Sequence, residues 1–199
     1  MAAAAMVTAL ILAGGRGRRM NGEDKGLVPF RGRPLIEHVL AAIRPQVSHV
    51  LINANRNRHR YTVYGHPVIG DALSDYQGPL AGFAVGLAQT VTDDLVTLPC
   101  DGPFVATDAV QRLLAARQQA AAEIAVAHDG QRMQPVYALL HRGLLPSLTA
   151  FLDSGERKID RWYAQQHTVT AEFSGCTQCF ININTRLEHQ RLESVEMTT

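Results

Sequence analysis

Short apolar runs alternate with stretches of helical periodicity through the first two-thirds of this chain, which leaves few folds open to it. Val7–Leu12 is a continuous apolar run of strand length, rich in branched residues. Such a run predicts a buried strand. Further strands are expected at His49–Asn53, Pro67–Gly70 and Leu95–Pro99. Between the first two, Pro34 suits a first helical position, Ile36, Val39, Leu40 and Ile43 follow at helical spacing, and Pro45 ends the pattern. Pro79–Val91 reads as a small-residue helix weakened by Gly82 and Gly86. Thr107 is placed to cap a helix whose apolar face is Val110, Leu113 and Leu114.

Strands and helices in this order imply parallel pairing with helices on both sheet faces. The expected fold class is therefore α/β, a three-layer α/β/α sandwich with a mostly parallel central sheet. The last third changes rhythm. Glu123–His128 and Gln134–Leu140 flank an Asp129-Gly130 turn, and a helix is expected near Leu144–Leu152. Strands near Thr168–Phe173 and Phe180–Ile183 precede a final helix from about Arg186. No linker or repeat interrupts the 199 residues, and at about 150 residues per domain one domain is expected. Its first 120 residues or so would bind ligand, and the remainder would complete the sheet and the site.

The composition narrows the function classes. At 46% hydrophobic and 19% charged, with 19 Lys+Arg against 18 Asp+Glu, the chain is neither disordered nor a dedicated nucleic-acid binder. The apolar start Met1–Leu12 lacks the cationic residues of a secretory signal and falls short of the roughly 20 residues of a membrane span. Three cysteines make no disulfide framework, so a reduced, cytoplasmic protein is expected. Cys176-x-x-Cys179 has the spacing of half a zinc site but lacks a second pair, and reads as two packed or edge thiols. The eight histidines show no pair at i, i+4 and read as surface or capping residues.

In sheets of this kind ligands sit beyond the carboxyl ends of the strands, near a topological switch point. The segment after the first strand, Ala13–Lys25, carries Gly14, Gly15, Gly17 and Gly22 with Arg16, Arg18, Arg19 and Lys25. Successive N–H groups in such a loop form an anion-binding concavity, and the cations focus positive charge there. Neither common phosphate motif fits. Lys25 is followed by Gly26 rather than Ser or Thr, and Met20 breaks the dinucleotide fingerprint. Asp101 ends another strand between Pro99 and Pro103, where it can hold a magnesium ion bridging nucleotide phosphates or serve as an ordinary turn residue. Asp71 carries the same two readings. Arg56–Arg60 and Arg157-Lys158 are basic spots whose default reading is a solvated surface, with an anionic substrate as the alternative; Trp162 and Tyr163 nearby are read as packing.

Together these segments resemble the molybdenum cofactor guanylyltransferases. The resemblance rests on Leu12-Ala13-Gly14-Gly15, Arg18-Arg19-Met20 and Asp24-Lys25-Gly26-Leu27. It continues through Asn53-Ala54-Asn55, Gly70-Asp71, Gly78–Gly82, Pro99-Cys100-Asp101 and Asn182-Ile183-Asn184-Thr185. It implies a Rossmann-like nucleotidyltransferase fold and transfer of GMP from GTP to the phosphate of molybdenum-loaded molybdopterin. GTP would be bound by Leu12, Ala13, Gly14, Gly15, Lys25, Asn53, Asp71 and Asp101, with Lys25 and Asp101 catalytic and Asp101 ligating magnesium. Asn182 and Asn184 would meet the pterin acceptor, their other reading being two turn asparagines. The resemblance also implies transient contacts with other molybdenum-cofactor proteins, and no nucleic-acid or membrane partner. Two other readings stay open: a relative using CTP or a sugar-phosphate acceptor, and a carrier that binds nucleotide or cofactor without turnover.

Overall fold

The computed structural model describes residues 5–13, 15, 23–71 and 78–194. Gly14 and the stretch Arg16, Gly17, Arg18, Arg19, Met20, Asn21 and Gly22, on which much of the sequence reading of the first loop rests, lie outside the described residues. In chain order the elements are β1 (Ala5–Leu12), β2 (Pro29–Phe30), β3 (Arg33–Pro34), α1 (Leu35–Ile43), β4 (Val47–Asn53), α2 (Arg58–Tyr61) and β5 (Val68–Ile69). They continue through α3 (Pro79–Gln89), β6 (Asp94–Pro99), α4 (Ala109–Gln119), β7 (Ile124–His128) and β8 (Met133–His141). The last are α5 (Leu145–Asp153), α6 (Ile159–Tyr163), β9 (Thr168–Glu172) and α7 (Arg186–Ser194).

Seven strands form one sheet in the order β5-β4-β1-β6-β8-β7-β9, and β2 with β3 makes a separate small hairpin. The sheet is parallel except at β8, which runs antiparallel to both β6 and β7. Alternate residues of β1 explain the three layers. Val7, Ala9 and Ile11 pack with Ile36, Val39 and Ile43 of α1 and Val110 and Leu113 of α4 on one face. Leu10 packs with Leu80, Phe83 and Leu87 of α3 and Leu148 and Phe151 of α5 on the other. A strand covered on both faces has no use for polar alternation, and even Thr8 is buried, its hydroxyl 2.8 Å from that of Thr92. No helix among the described residues is long and apolar enough to cross a membrane.

Four local expectations fail for identifiable reasons. Pro34 belongs to β3 and precedes α1 rather than occupying its first turn. Asp108, not Thr107, is the residue flanking α4, and its carboxylate pairs with Arg112 at 2.8 Å instead of capping the helix. Phe180–Ile183 is not a strand: a 3₁₀ turn spans Thr177–Phe180, and the two apolar ends of the segment are drawn into different clusters. Cys176 and Cys179 are joined as a disulfide rather than left as thiols, their Cα atoms brought to 5.5 Å by a turn in which the Cys179 N–H donates to the Cys176 carbonyl.

α3 lies close on the sheet because it lacks side chains there. A Cβ on Gly86 would stand 2.6 Å from Leu10 Cδ2 and 3.0 Å from Leu95 Cδ2, and both leucines are fully buried. Gly86→Ala gains about 1 kcal/mol of helix propensity but incurs an overpacking penalty of about 1–3 kcal/mol. A net loss of about 1 kcal/mol is expected from the urea midpoint; a gain would show that α3 can lift off the sheet.

Candidate functional site

The site is built where three parallel strands end abreast. Leu12 of β1 stands opposite Asn53 of β4 on one side and Pro99 of β6 on the other. The Ala13 N–H donates to the Asn53 carbonyl at 2.7 Å, and the Cys100 N–H to the Leu12 carbonyl at 3.1 Å. The chain moves from β1 outward through β4 to β5, then returns across β1 to β6, so the reversal of strand order falls at this edge.

On the β4 side, Asn53 and Asn55 are two residues apart at a strand exit and reach the same carboxylate. Asn53 Nδ2 donates to Asp71 Oδ1 at 2.9 Å, and Asn55 Nδ2 to Asp71 Oδ2 at 2.6 Å. Asn55 Oδ1 in turn accepts the Asp71 N–H at 2.8 Å. The carboxylate is thereby fixed in orientation, while each oxygen retains acceptor capacity. Gly82 of α3 makes room for this arrangement, since a Cβ there would stand 2.8 Å from Asn53 Oδ1 and 2.6 Å from Leu12 Cδ2.

On the β6 side, Lys25 Nζ donates to Asp101 Oδ2 at 2.9 Å and to Asn184 Oδ1 at 2.5 Å. These residues come from three distant stretches of chain. The Ile183 N–H donates to the Asp101 carbonyl at 2.8 Å and holds the late segment to the end of β6. Asn184 is anchored from beyond by a capping box: Glu188 Oε2 accepts the N–H groups of Asn184 and Thr185, and Thr185 Oγ1 accepts the Glu188 N–H at 3.1 Å. Asn182 joins through its Oδ1, which accepts the Tyr137 hydroxyl at 3.3 Å.

The backbone that delivers Lys25 is held from a third direction. Asp24 directly precedes the 3₁₀ turn Lys25–Leu27, yet its side chain does not cap it. Instead Asp24 Oδ1 accepts the Tyr61 hydroxyl at 2.5 Å, and Oδ2 accepts Asn57 Nδ2 at 3.0 Å. Arg56 donates to the Glu23 carbonyl at 2.8 Å. The basic run Arg56–Arg60 is thus not simply a solvated surface: it runs into α2, and its Arg56 and Asn57 grip the chain entering the site. Arg157, in the other basic spot, donates to the Leu152 carbonyl at the end of α5. Trp162 and Tyr163 are buried in the core beneath α5. His128 and His141 accept backbone N–H groups in local turns.

Two further titratable groups line the site, and neither is available as a base. Burial, with Asp101 and Asp24 nearby, pushes the Cys100 thiol well above its usual range. Burial and then Asp101 and Cys100 raise the Tyr137 hydroxyl likewise. Of the residues expected from sequence, Lys25, Asp101 and Asn184 are in direct contact, as are Asn53 and Asp71, with Leu12 and Ala13 on the strand end between the two groups. Gly15 is exposed, with no atom of the described residues within 4 Å of where a Cβ would stand, and Gly14 lies outside the described residues. Tyr61, Tyr137 and Glu188 carry no functional reading in the sequence, and Asn55 and Asn57 enter it only within the Asn53-Ala54-Asn55 triplet and the Arg56–Arg60 run. Only Glu188 had a local signal, the Thr-x-x-Glu spacing of a capping box; the others are defined by partners 16 to 45 residues away.

A family model described as the MobA-like NTP transferase domain matches residues 9–169. The molybdenum cofactor guanylyltransferase of Shewanella pealeana is 52% identical over 189 residues, covering 95% of this chain and 94% of its own. That of Shewanella loihica is 51% identical over 186 residues, covering 94% and 95%. Among solved structures, molybdopterin-guanine dinucleotide biosynthesis protein A from Archaeoglobus fulgidus superposes with a TM-score of 0.76 at 22% identity, over 94% of this chain and 96% of that one. The 4-diphosphocytidyl-2C-methyl-D-erythritol synthase of Anaerococcus prevotii gives 0.75 at 10% identity, over 95% of each. These two likenesses are of fold.

The close packing behind Asp101 is open to test. A Cβ on Gly102 would overlap the buried Tyr137 hydroxyl and stand 2.9 Å from Asn182 Oδ1. Gly102→Ala is expected to lower the unfolding free energy by about 1–3 kcal/mol in denaturant titration. Unchanged stability would mean that Tyr137 is not confined there.

Proposed function

Since this chain belongs to the molybdenum cofactor guanylyltransferases, within the MobA-like NTP transferase domain family, we propose that it transfers GMP from GTP to the terminal phosphate of molybdenum-loaded molybdopterin. The observation that carries the residue assignment is the meeting of Lys25, Asp101 and Asn184 at the switch point of the sheet. A cation and a carboxylate there, with a second fixed carboxylate on Asp71 across the end of β1, suit a nucleoside triphosphate lying over the strand ends. In this reading Leu12, Ala13, Gly14, Gly15, Asn53 and Asp71 bind the nucleotide, Lys25 contacts its triphosphate, and Asn182 and Asn184 face the acceptor.

The donor set fits magnesium as that ion is held on nucleotides, with one or two carboxylates and the remaining positions left to phosphate oxygens and water. Asp101 supplies the carboxylate, and no cluster of three or more His, Cys, Asp or Glu side chains suited to an all-protein metal cage occurs among the described residues. Magnesium held on Asp101 supplies neutralisation of the charge on the reacting phosphates.

The chemistry needs no nucleophile from the protein. The acceptor phosphate, with a second pKa of about 6, is dianionic at neutral pH. One of its oxygens forms a bond to the α-phosphorus of GTP as the bond from that phosphorus to the bridging oxygen of pyrophosphate breaks. No proton has to be removed, consistent with Cys100 and Tyr137 both being held protonated. What remains for the chain is alignment and charge compensation, which Lys25 and the surrounding donors provide.

Loss of one such electrostatic contact typically costs about 10²–10³ in rate. Lys25→Ala and Asp101→Ala are each expected to lose that much pyrophosphate release while melting as folded proteins; near-normal turnover in either overturns its role. Calorimetric titration with GTP, CTP and ATP in magnesium should show preference for GTP. Preference for CTP removes the guanine assignment, and binding with no pyrophosphate release in the complete mixture would make the protein a carrier.

A further inference from the structure

We propose that Tyr61, together with Asn57, is a positioning residue that sets the place of Lys25 through the carboxylate of Asp24. The proposal rests on the reading of Lys25 as the triphosphate contact and adds how that contact is held. An aspartate directly before a helical turn ordinarily turns its side chain back to cap the turn's N–H groups. Asp24 does not: both of its oxygens are committed outward, Oδ1 to the Tyr61 hydroxyl at 2.5 Å and Oδ2 to Asn57 Nδ2 at 3.0 Å. Hydrogen bonds of this charge-assisted type are among the strong ones. Tyr61 is fully buried, and burial, Cys100 and Asp24 all raise its hydroxyl, so it stays a donor.

The same hydroxyl bears on the other neighbour of Lys25. A Cβ on Gly26 would stand 2.7 Å from Tyr61 Oη and 3.2 Å from Cys100 Sγ, so only glycine lets the chain settle between Tyr61 and the end of β6. Residues 24 and 26 are therefore both fixed against Tyr61, while the Lys25 side chain between them reaches Asp101 and Asn184. Asn57 takes its place in a left-handed conformation (φ 50°), which asparagine tolerates better than most residues. Among the described residues Asp24 is the hydrogen-bond partner of this hydroxyl, while the ring belongs to the apolar cluster that includes residues of α1 and β4.

Tyr61→Phe keeps the ring and removes only the donor. A displacement of about 1 Å in a catalytic contact can cost up to 10²-fold, so a fall in kcat/KM for GTP of about tenfold or more is expected, measured as pyrophosphate release. The loss should vanish in the Lys25→Ala background, where there is no ammonium left to place, so that Lys25→Ala/Tyr61→Phe equals Lys25→Ala. Asn57→Gly, which keeps the left-handed backbone and deletes the amide, should act in the same direction and carries the test if Tyr61→Phe does not fold. Tyr163→Phe serves as the structural control: its buried hydroxyl donates to the Pro135 carbonyl at 2.7 Å, and its loss should lower the melting temperature without changing kcat/KM.

Full activity in Tyr61→Phe, or an equal loss with and without Lys25, overturns the positioning role. A loss of activity in Tyr163→Phe matching that in Tyr61→Phe does so too, because destabilisation alone would then account for both. Near-normal turnover in Lys25→Ala is a different failure: it removes the reading of Lys25 itself, on which the role of Tyr61 depends.

Discussion

Strand β1 lies between β4 and β6 with all three pointing the same way, and the rest of the molecule is arranged around that constraint. Parallel neighbours cannot be joined by tight turns, so each connection must cross a face of the sheet, and helices come to cover both faces. The strand between them then has no solvent side, which is why β1 is apolar at nearly every position. At its carboxyl end the backbone bonds from Ala13 to Asn53 and from Cys100 to Leu12 draw three chain exits to one level. Asn53, Asn55 and Asp101 lie at or just past those exits, and Lys25, Asp71 and Asn184 are brought up to them.

Two polar groups flank that edge, and they are built differently. The Asn53–Asn55–Asp71 group is local to β4 and β5 and presents a carboxylate already oriented by neutral amides. The Lys25–Asp101–Asn184 group is an ion pair completed by an amide, assembled from the first loop, the fourth parallel strand in chain order and the segment before the last helix. Outer contacts surround it: the capping box on Asn184, the Ile183–Asp101 backbone bond, and the Tyr61 and Asn57 bonds to Asp24. In the proposed reading this ammonium, held between a carboxylate and an amide oxygen, is pre-placed for a phosphate chain, and that preorganisation is what phosphoryl chemistry without a protein nucleophile needs.

Much of this was legible in the residues. The first, second and fourth expected strands match β1, β4 and β6 to within two residues, because a run buried on both faces is apolar whatever surrounds it. The glycine-bearing turn at Asp129-Gly130 and the reversal it makes between β7 and β8 were legible for a similar reason, since turn chemistry is local. Some failures are local, as at Pro34, Asp108 and the Cys176–Cys179 turn, and others lie where the deciding partner is remote. Phe180–Ile183 has the composition of a strand, but the Ile181 N–H is taken by the Gln178 carbonyl, the Ile183 N–H by the Asp101 carbonyl, and Phe180 and Ile183 pack in different clusters. Cys176 and Cys179 looked like two thiols until the turn between them was seen to bring them together. Arg56–Arg60 looked like solvated charge until Arg56 and Asn57 were found holding Glu23 and Asp24, more than thirty residues earlier.

The sequence by itself determined the class of fold, the edge of the sheet at which the polar groups gather, and most of the residue types found there. Those are matters of hydrophobic pattern and of position after a strand, and both are written locally. Only the tertiary structure decided which of those residues touch. Lys25 meets Asp101 across 76 positions and Asn184 across 159, and Tyr61 meets Asp24 across 37. Such pairings depend on where helices set down on the sheet, and that is settled by the shape of the packed core, a property of the whole chain rather than of any stretch of it.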